Sequence, residues 1–408
     1  MIITQAANVL YIDQPVGTGY SFTGTRSYCN DDDCIEQHMF AFLQGFFKLH
    51  PWLLLTGDKS TTTRPVFFSG ESQAGHYIPS MVDHILTQNA RDPLPAGEVV
   101  VDVQGMAIGN GWFDPPNQYD VSDFAHGVGM ISHGQFLTLQ KKRAECVRGL
   151  ASGRYFNPVC FSLLDEVVAA TGTESTGYVS LYDYRLFDNP GNREFPPGHK
   201  IVEGYLNRAE VKAALHAAES PMVFQECTDP PYDHLKQQDG LGVMGEVKRV
   251  LESGKVRALF FNGAFDVICN HVGNEVALKQ LAWSGQSAFL EAPRGVWLPH
   301  GSAQGGGTKP GGYAKGGGAL TYLVVLNAGH MVPLDVPAAA LDMIKRFVAN
   351  ESFQDKEQGI GMSLEEAPVA AAAVEGAAVA LPSGPPTLKG AYVLIALSRD
   401  VHTHDSSP

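Results

Sequence analysis

The stretch FFSGESQAGHYIPS, Phe67 to Ser80, decides how this chain is read. An aromatic strand-like run passes into small residues and then into a segment with helical character. Around Ser72 the order is Gly70-Glu71-Ser72-Gln73-Ala74-Gly75. A serine held in a sharp strand-to-helix turn needs small residues two positions before and two after it, because the backbone folds back on itself there. Gly70 and Ala74 meet that demand. The turn also sets Ser72 at a helix N-terminus, where backbone N–H groups face a developing negative charge. A serine between glycines is also an ordinary turn residue, so the reactive reading requires a base and an orienting acid further along.

Outward from this turn, residues 1–120 alternate strand-like runs (NVLYIDQPV, PVFFSG, VVVDVQGMAIGNG) with a helix predicted over Glu36 to His50. Its apolar residues Met39, Phe40, Leu43, Phe46 and Phe47 recur at the helical period. Strands separated by helices predict an α/β fold with a doubly wound, mostly parallel sheet. The pattern loosens over residues 121–200. There ISHGQFLTLQKKRAECVRGL predicts a helix, loop-rich sequence follows, and the whole reads as an inserted cap region over a cleft. Strand and helix character returns over residues 201–350, most clearly in RALFFNG and LTYLVVLNAG. The glycine-rich segment His300 to Gly318 lacks a phosphate-loop signature and reads as a surface loop. Residues 351–408 carry EEAPVAAAAVEGAAVALPSGPP and read as a low-complexity, disordered tail.

Two residues supply the missing chemistry in the order serine, aspartate, histidine. Asp266 follows the strand-like run Arg257 to Phe261, and His330 follows Leu320 to Leu326. Both therefore fall in loops at strand ends, the rim where open parallel sheets place reactive groups.

Bulk properties narrow the function classes. The 408 residues carry a formal net charge of −14 with a sequence pI near 5.4, which argues against nucleic acid as a partner. No window reaches the ~18 apolar residues of a membrane span; AYVLIAL, Ala391 to Leu397, is the longest candidate near the end. Met1 opens on MIITQAANVLYIDQP, without the basic region of a secretory leader. Six cysteines are scattered without paired C-x-x-C units, so a metal ribbon is not expected. Cys29 and Cys34 either close a small loop or remain thiols. Asn350-Glu351-Ser352 is a glycosylation sequon.

GESQAGHYIP, NGAFDVICNHVGN and NAGHMVPLDVPAAAL resemble the three active-site segments of serine carboxypeptidases, which have the α/β-hydrolase fold. DQPVGTGYSF, AIGNGWFDPPNQY and YLNRAEVKAALH extend the resemblance over roughly Asn8 to Asn350. It implies hydrolysis of the C-terminal peptide bond of peptides or proteins, with no cofactor and no metal. Ser72 is then the acylating nucleophile, His330 the general acid–base and Asp266 its orienting partner. The Gln73 backbone N–H becomes an oxyanion donor. Glu71 is implied to hold the substrate's terminal carboxylate through a shared proton, and Cys269 and Met331 to line the leaving-residue pocket. A lysosome- or vacuole-like compartment, or secretion, is implied too, as is a Cys146–Cys160 disulfide. Oligomeric state is not legible. The same triad serves an acyltransferase that passes the acyl group to an alcohol.

Three departures stand out. Gln73 replaces an aromatic residue after the serine, and Ala264 replaces the first acid of a G-D-x-D pattern. A segment resembling W-L-N-G-G-P-G-C-S-S, upstream of DQPVGTGYSF in the family, is not found, so the chain reads as truncated at its N-terminus and Cys227 as an orphan. That segment supplies a second oxyanion donor, whose loss lowers the rate by roughly 10²–10³-fold. An inactive product is therefore the remaining alternative, and an exposed sheet edge is expected.

Overall fold

The computed structural model describes residues 3–25, 27–56, 61–188, 198–225, 228–300, 309–354 and 393–399. Among them one sheet contains β1 (Asn8–Tyr11), β2 (Val66–Ser72), β3 (Val103–Gly109), β4 (Arg257–Gly263), β5 (Gly295–Trp297), β6 (Gly312–Gly317), β7 (Leu320–Val325) and β8 (Val393–Arg399). Their spatial order is β1-β8-β2-β3-β4-β7-β6-β5. Every neighbouring pair from β1 to β7 is parallel, and β6 and β5 add an antiparallel edge. The mostly parallel, doubly wound sheet expected from alternating strands and helices is therefore present.

Phe67 and Phe68, consecutive on β2, show why both faces must be covered. A strand sends successive side chains to opposite sides, and both rings are almost wholly buried. Phe68 packs with Met39, Leu43 and Phe47 of helix α1 (Asp32–Leu49) and Ile78 and Met81 of helix α2 (Ala74–Asn89). Phe67 packs on the other face with Met343, Ile344 and Phe347 of a helix spanning Pro337–Ala349. Central parallel strands buried on both faces lose the polar–apolar alternation of a half-exposed strand, and PVFF shows none.

Residues of the 121–200 stretch contribute to a third core. Helix α3 (His133–Ala151) starts at a capping box, Ser132 with Gln135, and the Cys146–Cys160 disulfide ties it to helix α4 (Pro158–Ala169). Phe124, Leu139, Leu150, Leu163 and Val167 then pack against Val267, Ile268 and Cys269. This stretch thus rests on the loop that carries Asp266.

Three expectations need correction or resolution. Residues 393–399, read as part of a tail, form β8 between β1 and β2, with Arg399 opposite Ser72. Seven apolar-rich residues make a strand when a slot with two unpaired neighbours receives them, and no local pattern reveals such a slot. β1 is the outermost strand on this side, so the expected exposed edge falls there among the described residues. Gly312–Gly317, read as loop, form β6, because pairing with β7 satisfies their backbone groups whatever their side chains. Cys29 and Cys34 form a disulfide at the start of α1, where the Asp31 carboxylate accepts from the Cys34 N–H at 2.9 Å. Cys227, most of the low-complexity segment and residues 301–308 of the glycine-rich stretch lie outside the described residues.

Candidate active site

Ser72 is the last residue of β2 and α2 begins at Ala74, so only Gln73 separates strand from helix. The turn holds Ser72 at φ 60°, a left-handed conformation that a β-carbon disfavours by about 1–2 kcal/mol. Such strain persists where the surroundings over-determine it. Here the Trp112 N–H donates to the Ser72 carbonyl at 2.9 Å. Gly75 lets α2 approach closely, since a β-carbon there would lie 2.7 Å from the Trp112 nitrogen and 2.8 Å from the Gly111 Cα. Gly75, next to the Ala74 read from sequence, therefore marks a backbone-to-backbone contact.

Parallel register brings the other groups to the same rim. Glu71 lies opposite Gly109 of β3, Gly109 opposite Phe261 of β4, and Gly263 of β4 opposite Val325 of β7. The chain leaves β4 into the Asp266 loop and β7 into the His330 loop. Asp266 Oδ2 accepts from His330 Nδ1 at 2.9 Å, and both side chains are fully buried, as is Ser72. The two loops nearly touch: a β-carbon on Gly263 would stand 1.8 Å from the Gly329 carbonyl oxygen.

Asn110, which the sequence reading did not single out, completes the aspartate's surroundings. Its side-chain N–H donates to Asp266 Oδ2 at 2.7 Å, and its carbonyl oxygen accepts from the Gly263 N–H at 3.1 Å. Asn110 itself has φ 43°, and asparagine is among the few side chains that tolerate this region. An asparagine between glycines at a strand end was the available signal.

Cys269 is a buried thiol whose sulfur lies within 4.8 Å of the Asp266 and His330 donor atoms. Its carbonyl accepts from Asn262 Nδ2 at 2.8 Å and Asn274 Nδ2 at 3.2 Å, which fixes the loop after Asp266. Met331 follows His330 directly and is half-buried; Glu71 and Gln73 are half-buried beside Ser72. The Asp266–Cys269–His330 group has donor types a metal accepts, and a histidine hydrogen-bonded to a carboxylate occurs both in general bases and in metal ligands.

Behind the elbow lies a second polar cluster. His76, in the first turn of α2, is buried; its Nδ1 is 2.8 Å from Asp32 of α1, and its Nε2 meets the Leu241 carbonyl. Burial alone lowers an imidazole, but the Asp32 charge and hydrogen bond, with the Leu241 carbonyl, bring His76 up to about 9. One helical turn along, Glu36 is raised to about 7 by burial and then by Asp33, Asp83, Asp32 and Glu246. His84 Nδ1, 3.0 Å from Glu36 Oε1, is lowered by burial and by Arg91.

Comparison with known proteins places this arrangement in context. A family profile described as "Serine carboxypeptidase" matches residues 4–350. Pheromone-processing carboxypeptidase KEX1 of Phytophthora infestans is 37% identical over 87% of this chain and 58% of its own length. Serine carboxypeptidase S10 family member 2 of Dictyostelium discoideum is 36% identical over 89% of this chain and 62% of its own. The chain thus spans about 60% of the length of these curated relatives. The crystal structure of Kex1(delta)p, a prohormone-processing carboxypeptidase from Saccharomyces cerevisiae, superposes with a TM-score of 0.71 at 25% identity, covering 83% of this chain and 73% of that one. With the family profile matched across residues 4–350, the chain belongs to the serine carboxypeptidase family.

Proposed function

We propose that this chain is a serine-type carboxypeptidase that hydrolyses the C-terminal bond of peptides or proteins through an acyl-enzyme on Ser72. The observation that carries the reading is the 2.9 Å contact from His330 Nδ1 to Asp266 Oδ2, at the sheet rim where the strained Ser72 elbow ends. With Nδ1 hydrogen-bonded to the carboxylate, Nε2 is the nitrogen that takes the Ser72 hydroxyl proton. Oγ then attacks the last peptide carbonyl, and the oxyanion accepts from the Gln73 N–H at the start of α2. His330 passes the proton to the departing amino acid as the C–N bond breaks. Water, deprotonated by His330, attacks the ester; the shortened peptide leaves and Ser72 regains its proton.

In this reading Glu71 holds the terminal carboxylate of the substrate while protonated, and Cys269 and Met331 line the pocket for the departing residue. Activity on the acid side is what the family resemblance implies. The two disulfides favour an oxidising compartment, in line with a secretory, lysosome- or vacuole-like location. The test measures release of the C-terminal residue from an N-blocked dipeptide at acid and neutral pH, for wild type and Ser72→Ala. Equal release by both proteins removes Ser72 from the mechanism. Transfer to an added alcohol at the expense of hydrolysis selects the acyltransferase chemistry instead.

A further inference from the structure

The segment from Ser180 to Leu186, at the end of the insertion, passes between the Asp266 and His330 loops. The Leu181 carbonyl accepts from the Val267 and Ile268 N–H groups at 3.0 and 3.1 Å. The Tyr182 carbonyl accepts from the His330 N–H at 2.8 Å, and the Tyr184 N–H donates to the Phe265 carbonyl at 3.0 Å. Backbone bonds therefore grip the residues on either side of Asp266 and His330 itself. Gly329 leaves no slack: a β-carbon there would stand 2.6 Å from the Tyr182 oxygen and 2.7 Å from the Asp183 Cβ.

One side chain reaches both loops. Arg185 Nε donates to Asp183 Oδ1 at 2.9 Å and Oδ2 at 3.1 Å, and Asp183 is buried. Nη1 donates to the Asn327 carbonyl at 3.2 Å. Nη2 lies 3.6 Å from Asp335 Oδ2, the oxygen that also accepts the Gly329 N–H at 2.7 Å. The guanidinium carbon sits 4.2 Å from the centre of the Phe265 ring. A single planar cation thus touches the residue before Asp266 and Asn327 in the loop that ends at His330, and reaches Gly329 of that loop through Asp335.

We propose that Arg185 is a positioning residue of the triad, locking both loops to the 180–186 segment and so holding Asp266 and His330 in mutual register. This rests on the triad reading above. Arg185 is 38% exposed, so its ion pairs are weakened by solvent and contribute little by charge alone. Its effect comes from the planar fork and the stacked ring, which lysine does not reproduce. A 1 Å displacement of reacting groups lowers rate by about 10²-fold, so modest loosening is enough to read.

The experiment compares wild type, Arg185→Ala, Arg185→Lys and Phe265→Leu in blocked-dipeptide hydrolysis, with active sites counted by a serine-directed fluorophosphonate. Labelling of wild type that Ser72→Ala abolishes tests the triad separately, so the two readings fail independently. The expected result for Arg185→Ala is kcat per labelled site lower by about 10–100-fold, with KM within about twofold. Arg185→Lys keeps the charge and recovers little of the loss, and Phe265→Leu, which removes the ring under the guanidinium, falls in the same direction. Phe265→Leu retains the Arg185–Asp183 pair and the Phe265 carbonyl that accepts from the Tyr184 N–H, so it carries the test should Arg185→Ala not fold. Wild-type kcat per site in the variants overturns the proposal. So does full rescue by lysine, which assigns the effect to charge, or a loss confined to KM, which assigns Arg185 to substrate binding.

Discussion

Replacing Asp32 by asparagine removes the partner of a buried charge directly behind the elbow, with a pH signature that can be worked out beforehand. His76 rises from 6.5 to about 9 in the folded protein, so it carries a proton there that the unfolded chain gives up near 6.5. A group raised in this way stabilises the fold fully below the unfolded value, and the contribution is lost as pH rises through the folded one. At about 1.4 kcal/mol per tenfold, the linkage is worth about 3 kcal/mol near pH 6 and almost nothing by about pH 9.5. Asp32→Asn removes the main cause of the shift, leaving a buried imidazole that gains nothing from protonation. The same substitution relieves Glu36, which Asp32 helps to raise to about 7, and this narrows the gap further on the alkaline side. Urea unfolding of wild type and variant, disulfides intact, reads the difference from the midpoints. The expected gap is about 3 kcal/mol near pH 6 and under about 1 kcal/mol near pH 9.5. A gap that is constant with pH, or that widens on the alkaline side, refutes the assignment of His76 as a buried cation.

Asn110→Ala deletes the donor to Asp266 Oδ2 and the acceptor for the Gly263 N–H. The expected loss is about 1–3 kcal/mol in urea unfolding together with a fall in kcat at unchanged KM, and wild-type kcat in the variant argues against a role for Asn110 in holding Asp266. Ile395→Pro removes a backbone N–H from the middle of β8, which is paired on both sides. Gel filtration should then show aggregated or expanded protein, because β1 and β2 lose their shared neighbour; a monomer as compact and stable as wild type would mean that β8 is dispensable to the sheet.

The sequence by itself determined the structure that is local. A strand, a turn of small residues and a helix identify Ser72, because only small neighbours fit a backbone that doubles back at φ 60°. Asp266 and His330 were legible because each follows an apolar strand, and parallel strands deliver their following loops to one rim. What the sequence left undetermined depends on groups distant along the chain. Asn110 is 156 residues from Asp266, and Arg185 142 from Asn327, yet each pair is in hydrogen-bonding contact. The His76–Asp32 pair likewise joins two helices, and nothing in either helix announces a buried ion pair. β8 is the clearest case. Its seven residues, in a region whose composition reads as tail, become a central strand through two neighbours supplied from residues 8–11 and 66–72. Side-chain pattern is local and can be read in sequence, whereas pairing and desolvation arise between distant segments and are decided only when the chain closes on itself.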